Sequence, residues 1–462
     1  MMALQPHGAV PSERQLAWHR RPLYGFIHFT VNTFTDREWG YGDESPAIFA
    51  PHELDCDQWV AAAKAAGLEA LILTAKHHDG FCLWPTKTTT HNVSASPFRD
   101  GKGDVVRELA DACARGGIGL GLYCSPWDRN HPEYGRDEYV AVYHEQWKEL
   151  LTEYGPLCEL WLDGANGGDG YYGGAREKRS IDASTYYRFE ELFAMMREHQ
   201  PDAVIFSDRG PDVRWCRNES GFLGISSWAK VDSSRDAFGL AADTEQLTLG
   251  SRGGDSWRPV EVDVSIRPGW FFHPTERSRT GEELFTTWLN SVGRGAGLNL
   301  NLPPNHKGLI PTGDVLELME MGERIRRFTA IDLAPDVEVT VEGGPEDAGA
   351  LTDGRDDTFW AATADEPSVT FRLSAAERIR GVQIEEAIEL GQRVGSFSID
   401  VERWGGWHEW HRGATIGARA IVPLEGAIAS SLRIRFTSTL APPVLRRVRL
   451  FSAGQDLWAA QG

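Results

Sequence analysis

Two short stretches carry side chains that could do chemistry. Lys76-His77-His78-Asp79-Gly80-Phe81 sets two imidazoles and an aromatic ring at the end of an apolar run. Glu159-Leu160-Trp161-Leu162-Asp163-Gly164 closes a second apolar run on a carboxylate. Imidazoles and indoles can hold a polar ring through its hydroxyls and its C–H face, and a carboxylate can attack an electrophilic carbon. Other polar residues fall at comparable places: His28, with Glu38 and Trp39 in the loop beyond it; Tyr123, Trp127 and Asp128; Asp208, then Asp212, Arg214 and Glu219; and Glu261, Arg267 and Trp270. Acids, imidazoles and indoles with few lysines fit cleavage of a glycosidic bond, where two carboxylates do the chemistry and the rest hold the sugar.

Each residue also has an ordinary structural role. Trp161 alone reads as core, Glu219 as surface, and a histidine after a strand as a loop hydrogen-bonder. His77 and His78 weigh toward function because His28 belongs to the same face. Helix capping loses for Asp163, since residues 164–174 hold six glycines and no helical pattern. No C-x-x-C pair occurs, and strand one offers a single His28 where metal-dependent barrel hydrolases carry His-x-His, so no metal is expected. No cofactor is expected either: Gly117-Ile118-Gly119-Leu120-Gly121 enters a strand instead of following one. A non-catalytic glycan-binding protein and a metal-dependent barrel hydrolase are the competing readings.

Positioning these groups falls to a repeated unit. Helical patterns over 57–66, 104–114, 137–154 and 184–199 each end at Gly or Pro and are each followed by an apolar strand, at 70–74, 118–124, 158–162 and 203–206. Strands with few charges, each after a helix, predict a parallel sheet covered on both faces, and the count favours an α/β TIM-like (β/α)8 barrel with its active site at the strands' C-terminal ends. After Asp332-Leu333-Ala334-Pro335 the pattern changes to short alternating segments with turn residues between them, which predicts a C-terminal all-β sandwich. The expected units are 1–332 and 333–462.

Lys and Arg number 47 against 67 Asp and Glu, a net charge of −20. That balance argues against nucleic acid and anionic membranes as partners, and no apolar run is long enough to span a bilayer. Seventeen tryptophans are many and suit sugar stacking. The six cysteines sit singly in apolar segments, which suits free thiols in a reducing compartment. With no signal-peptide pattern at the N-terminus, the expected location is cytoplasmic.

The run Gly25-Phe26-Ile27-His28-Phe29, then Glu38-Trp39, then Lys76-His77-His78-Asp79-Gly80-Phe81, then Trp161-Leu162-Asp163-Gly164 resembles the α-L-fucosidases of glycoside hydrolase family 29, over roughly residues 13 to 330. The resemblance implies a retaining enzyme acting on fucosylated oligosaccharides or glycoconjugates, with Asp163 as nucleophile. It implies fucose contacts from His28, Glu38, Trp39, His77, His78, Tyr123 and Trp161. The stretch from Gly210 to Glu219, with Arg214 inside it, is similar to the loop of the subgroup preferring α-1,3/1,4-linked fucose, where the loop's Glu is the acid/base. That points to Glu219, with Glu261 in reserve. Trp270 would suit the fucose methyl. Leu351-Thr352-Asp353-Gly354 through Trp360 resembles the start of a discoidin or galactose-binding-like sandwich, a type often found as a carbohydrate-binding module.

Overall fold

The computed structural model describes residues 4–208, 210–235 and 244–454; the tips of both expected units, 1–3 and 455–462, lie outside the described residues. Eight strands close into a barrel: β1 (Leu23–Ile27), β2 (Ala70–Lys76), β3 (Gly119–Cys124), β4 (Glu159–Trp161), β5 (Val204–Ser207), β6 (Val213–Trp215), β7 (Val260–Ser265) and β8 (Gly297–Asn301). All neighbours pair in parallel, and β8 closes on β1 with Tyr24 opposite Asn299 and Phe26 opposite Asn301.

Helices cover the outside and bury the whole length of β1, β2 and β7. The helix Cys56–Ala66 starts where the Asp55 carboxylate accepts the Gln58 N–H, and it stops at Gly67 in the left-handed region, φ 90°. Asp104 and Gly117 do the same for Val105–Gly116. Strand β6 departs from the repeat. It follows β5 after a short loop with no helix between, so the stretch from Gly210 to Glu219, read as one loop in the sequence, is a three-residue barrel strand followed by a turn.

Alternation along the strands fills the barrel interior. Tyr24, Phe26, Ile72, Tyr123, Trp161, Val204, Phe206 and Val213 pack together there. Lower in the barrel the interior turns polar. Glu159 accepts from the Trp18 indole at 3.2 Å, and Glu261 accepts from the Tyr24 hydroxyl at 2.5 Å, the Trp161 indole at 2.9 Å and Asn299 at 3.1 Å.

The C-terminal part is an antiparallel sandwich built on a seven-stranded sheet: β9 (Glu338–Glu342), β10 (Trp360–Ala361), β11 (Ser368–Glu386), β12 (Val394–Arg403), β13 (Gly406–Gly413), β14 (Ala420–Thr439) and β15 (Val444–Ser452). Its inward residues form a separate core that includes Val369, Phe371, Ile399, Ile434 and Leu450. The segments 368–373 and 381–384 are parts of one long strand, β11, interrupted by register shifts. The sandwich is seated on the barrel. Phe451 packs on Phe328 with ring centroids 5.5 Å apart, and Gln392 accepts the Ala229 N–H at 2.8 Å while donating to the Ser227 carbonyl at 3.1 Å. Among the described residues no helix is long and apolar enough to cross a membrane.

Candidate active site

The C-terminal ends of β1, β2, β3 and β4 bring His28, His77, His78, Tyr123, Trp161 and Asp163 to one pocket. The His77 ring lies 5.7 Å from His28, 4.1 Å from His78 and 5.9 Å from Tyr123, and Tyr123 lies 5.3 Å from Trp161. Trp39, about half exposed, leans its edge on His78 at 5.1 Å and on Trp127 at 5.7 Å, forming a rim. Trp270 closes the other side, 5.1 Å from His28.

Asp163 is held by two donors. The Tyr123 hydroxyl donates to Oδ2 at 2.9 Å and the Ala165 N–H donates to Oδ1 at 2.7 Å. Burial raises its pKa, and these two hydrogen bonds oppose the rise. His78 Nε2 stands 3.8 Å from the same Oδ2. The tautomer of His78 follows from its other nitrogen. Ser125 Oγ spends its proton on the Trp127 carbonyl at 2.8 Å, so it accepts from His78 Nδ1 at 2.7 Å. His28 is fixed in the same way. The Asn301 amide nitrogen donates to Ser265 and to the Trp270 carbonyl, which leaves its oxygen to accept from His28 Nδ1 at 2.8 Å.

Burial then pulls both rings down to about 3, with Arg129 and Lys76 adding to the effect at His78 and the Asn301 contact opposing it at His28. Burial also lowers His77, helped by its two histidine neighbours. The imidazoles are therefore neutral. His28 and His78 keep an unprotonated Nε2 able to accept a sugar hydroxyl, and neither places a cation against Asp163.

Glu219 sits in the turn after β6, beyond Arg217 at φ 64°. Its Oε2 accepts the Trp270 indole N–H at 3.2 Å. The side chain is exposed to solvent, yet crowding by neighbouring protein raises its pKa; the Asp163 and Glu38 charges push the same way and the Trp270 bond pulls down. Glu38 lies near the same loop, with Trp270 and Phe271 donating their backbone N–H groups to it at 2.8 and 3.1 Å.

Two residues of the expected set stand elsewhere. Arg214 does not reach the pocket. It is fully buried, and its guanidinium donates to the carbonyls of Leu247, Trp228 and Arg258, bracing the segments behind β6. Its place on a three-residue strand turns it away from the sugar side. Arg214→Ala is expected to cost about 3–5 kcal/mol in denaturant unfolding, because buried carbonyls lose their donors, while the folded protein keeps its sugar affinity. Unchanged stability with weakened affinity would return Arg214 to the pocket. Glu261 is likewise fully buried, below Trp161, with both oxygens already committed to Tyr24, Trp161 and Asn299. It props the floor of the pocket and offers no oxygen to a leaving group.

Several pocket residues went unassigned in the sequence. Asn301 and Ser125 fix histidine tautomers, and Phe271 lies 5.0 Å from His77. The alternation Leu298-Asn299-Leu300-Asn301 was a signal for the first; Phe271 and Ser125 carried none. Among the described residues no three His, Cys, Asp or Glu side chains converge as a metal ion would require.

A parallel barrel whose strand ends converge on two carboxyl groups, neutral imidazoles and indoles defines a glycoside hydrolase of the carboxylate type. The chain matches the sequence model of the α-L-fucosidase family over residues 8–329. It is 39% identical over 470 residues to α-L-fucosidase 1 of Arabidopsis thaliana, covering 97% of this chain and 89% of that protein. Among solved structures, SpGH29 superposes with a TM-score of 0.91 at 36% identity, covering 97% of this chain and 99% of that one. A Ruminococcus gnavus family 29 fucosidase in complex with fucose gives 0.87 at 30% identity, covering 99% and 97%. The chain belongs to the α-L-fucosidase family, glycoside hydrolase family 29, and is an enzyme of that class.

Proposed function

We propose that the chain is a retaining, exo-acting α-L-fucosidase that removes terminal α-1,3/1,4-linked L-fucose from branched, Lewis-type glycans. The observation that carries this reading is the pairing of a positioned carboxylate, Asp163, with a second carboxyl, Glu219, whose pKa is raised in part by the first. Asp163 attacks the anomeric carbon while protonated Glu219 donates to the departing oxygen. Water then adds to the fucosyl-enzyme with Glu219 as base, and double displacement retains the α configuration.

The Ruminococcus gnavus relative is described with fucose bound, and we carry fucose over to the pocket formed here. His28 and His78 accept hydroxyl protons at Nε2, Tyr123 orients Asp163, and Trp39, Trp161 and Trp270 supply flat surface for the ring and its methyl. The linkage preference rests on the stretch from Gly210 to Glu219. We read the sandwich as the discoidin or galactose-binding-like type on the stretch from Leu351 to Trp360; its close packing on the barrel supports a scaffold role. The six free cysteines, five of them buried, support a reducing, cytoplasmic setting, which cell fractionation would test.

The direct test is proton NMR during the first minutes of hydrolysis of a Lewis-type trisaccharide and of an aryl α-L-fucoside. α-Fucose is expected first. β-Fucose first would overturn retention, and release from the aryl fucoside alone would overturn the linkage assignment.

A further inference from the structure

Beside the sugar pocket, Asp36, Glu38 and His273 form a cluster whose hydrogen bonds require a proton on the ring. His273 Nδ1 lies 2.6 Å from Asp36 Oδ1, and its Nε2 lies 2.6 Å from Glu38 Oε1. Ionised carboxylates only accept, so both ring nitrogens must donate. A ring nitrogen is also more basic than a carboxylate, so the shared proton resides on the imidazole. The ring is largely buried, whereas Asp36 is exposed.

The cluster has a structural consequence at the pocket. Glu38, on the loop after β1, takes three donors from the loop after β7: the Trp270 and Phe271 N–H groups and His273. The same short stretch carries the Trp270 indole that holds Glu219 and the Phe271 ring that packs on His77 at 5.0 Å and His28 at 5.4 Å. One carboxylate thus sets the distance between two loops that wall the sugar site. The chemistry of bond cleavage uses neither Asp36 nor His273.

We propose that His273 is a positioning residue: as an imidazolium it clamps Glu38, and through it the Trp270–Phe271 segment, in the sugar-binding arrangement, so that affinity for the fucosyl group falls when the ring loses its proton. The proposal rests on the fucosidase reading above. The groups facing the ring are acidic: Asp36 and Glu38 across the loop boundary, and Glu276 on its own loop, where it also accepts the Gly269 N–H at 3.0 Å. Glu219 stands beyond Trp270.

Burial lowers the ring's pKa, but the bonds to Asp36 and Glu38 and the charges of Glu38 and Glu276 outweigh it, leaving it above the ordinary value. With a raised pKa the clamp is intact in acid and is lost as pH rises through the folded value. A neutral ring donates only one of the two bonds and turns a lone pair toward the other carboxylate.

The test is kcat and KM for an aryl α-L-fucoside between about pH 6 and about pH 9, a span that brackets a raised histidine pKa. The aryl leaving group needs little proton donation, so loss of the Glu219 proton does not mask the result. In the wild type KM is expected to rise about tenfold toward alkaline pH with kcat changing far less. His273→Gln, whose amide donates from one nitrogen only and so cannot bridge both carboxylates, is expected to show a KM about tenfold above wild type at about pH 6 and flat thereafter.

Asp36→Asn provides an independent check, because Asn tolerates the left-handed backbone at this position, φ 57°. It should retain the rise in KM but move its midpoint to lower pH, one carboxylate having been lost. A His273→Gln enzyme with KM within about twofold of wild type and the same pH dependence, or an Asp36→Asn midpoint that does not move, would overturn the proposal; the second criterion stands even if His273→Gln does not fold. Wild-type protein that releases no fucose from any fucoside would overturn the fucosidase reading itself, a result seen before any variant is compared.

Discussion

Asp163→Ala is expected to reduce kcat by at least about 10⁴-fold on every fucoside, because no other group can form the glycosyl-enzyme bond. Fucose should still bind. His28, His77, His78 and Trp161 keep their positions through Asn301, Ser125, Glu261 and ring packing, none of which passes through Asp163. Only the Tyr123 hydroxyl and the Ala165 N–H lose their acceptor. The neutral state of His78 matters here. An imidazolium 3.8 Å from Oδ2 would stabilise the carboxylate and weaken its attack; burial keeps the ring uncharged and the nucleophile free. Added azide should restore turnover in the variant and yield β-fucosyl azide, since a small anion can occupy the vacated face. Near-normal turnover without azide, or an α-configured azide product, would show that another group is the nucleophile. In the wild type, burial raises the Asp163 pKa, so the acid limb of the rate profile, lost as pH falls through that value, should lie above the range of a free aspartate.

The barrel was legible in the sequence because its signals are local. Asp55 and Asp104 begin helices, Gly67 and Gly117 end them, and the strands that follow are apolar throughout, since both faces are covered. Strand β6 was not legible. Three residues show no period, and no helix announces them, so Arg214 read as a loop residue free to meet the sugar. In the fold it is a strand residue whose side chain goes to backbone carbonyls. The sandwich showed its alternation but not its strand lengths, because the register shifts in β11 break the period without breaking the strand.

In the site, residues at strand ends could be read from their position: His28, His77, His78, Tyr123 and Asp163 sit where a barrel delivers side chains to its open face. Glu38, His273 and Asp36 could not be related to one another. Their contact joins loops more than 230 residues apart in the chain, and no spacing rule reaches across it. Glu261 shows the converse. It lies on a barrel strand and reads as a candidate acid, but a position near the strand's start places it under Trp161 and not beside the leaving group.

Glu219→Ala should separate substrates by their leaving groups. On a Lewis-type glycan the departing sugar hydroxyl needs a proton as the bond breaks, and loss of general acid catalysis is expected to cost about 10²–10⁴-fold in kcat/KM. An activated aryl α-L-fucoside leaves as a stable phenolate, so its kcat/KM should fall by no more than about tenfold; kcat should fall further, because the second step still needs a base to activate water. The pH profile gives a second readout. Glu219 must hold its proton to act as acid, and protein crowding, reinforced by the Asp163 and Glu38 charges, raises its pKa against the pull of the Trp270 indole. The alkaline limb of kcat/KM on natural glycans should therefore lie above the range of a free glutamate and disappear in the variant. Trp270→Phe tests the same bond from its other end. Losing the indole N–H removes a contact that favours the ionised form, so the limb should move to higher pH. Equal losses on glycan and aryl substrate for Glu219→Ala, with the alkaline limb unmoved, would assign proton donation to another group and leave Glu219 a structural part of the turn after β6.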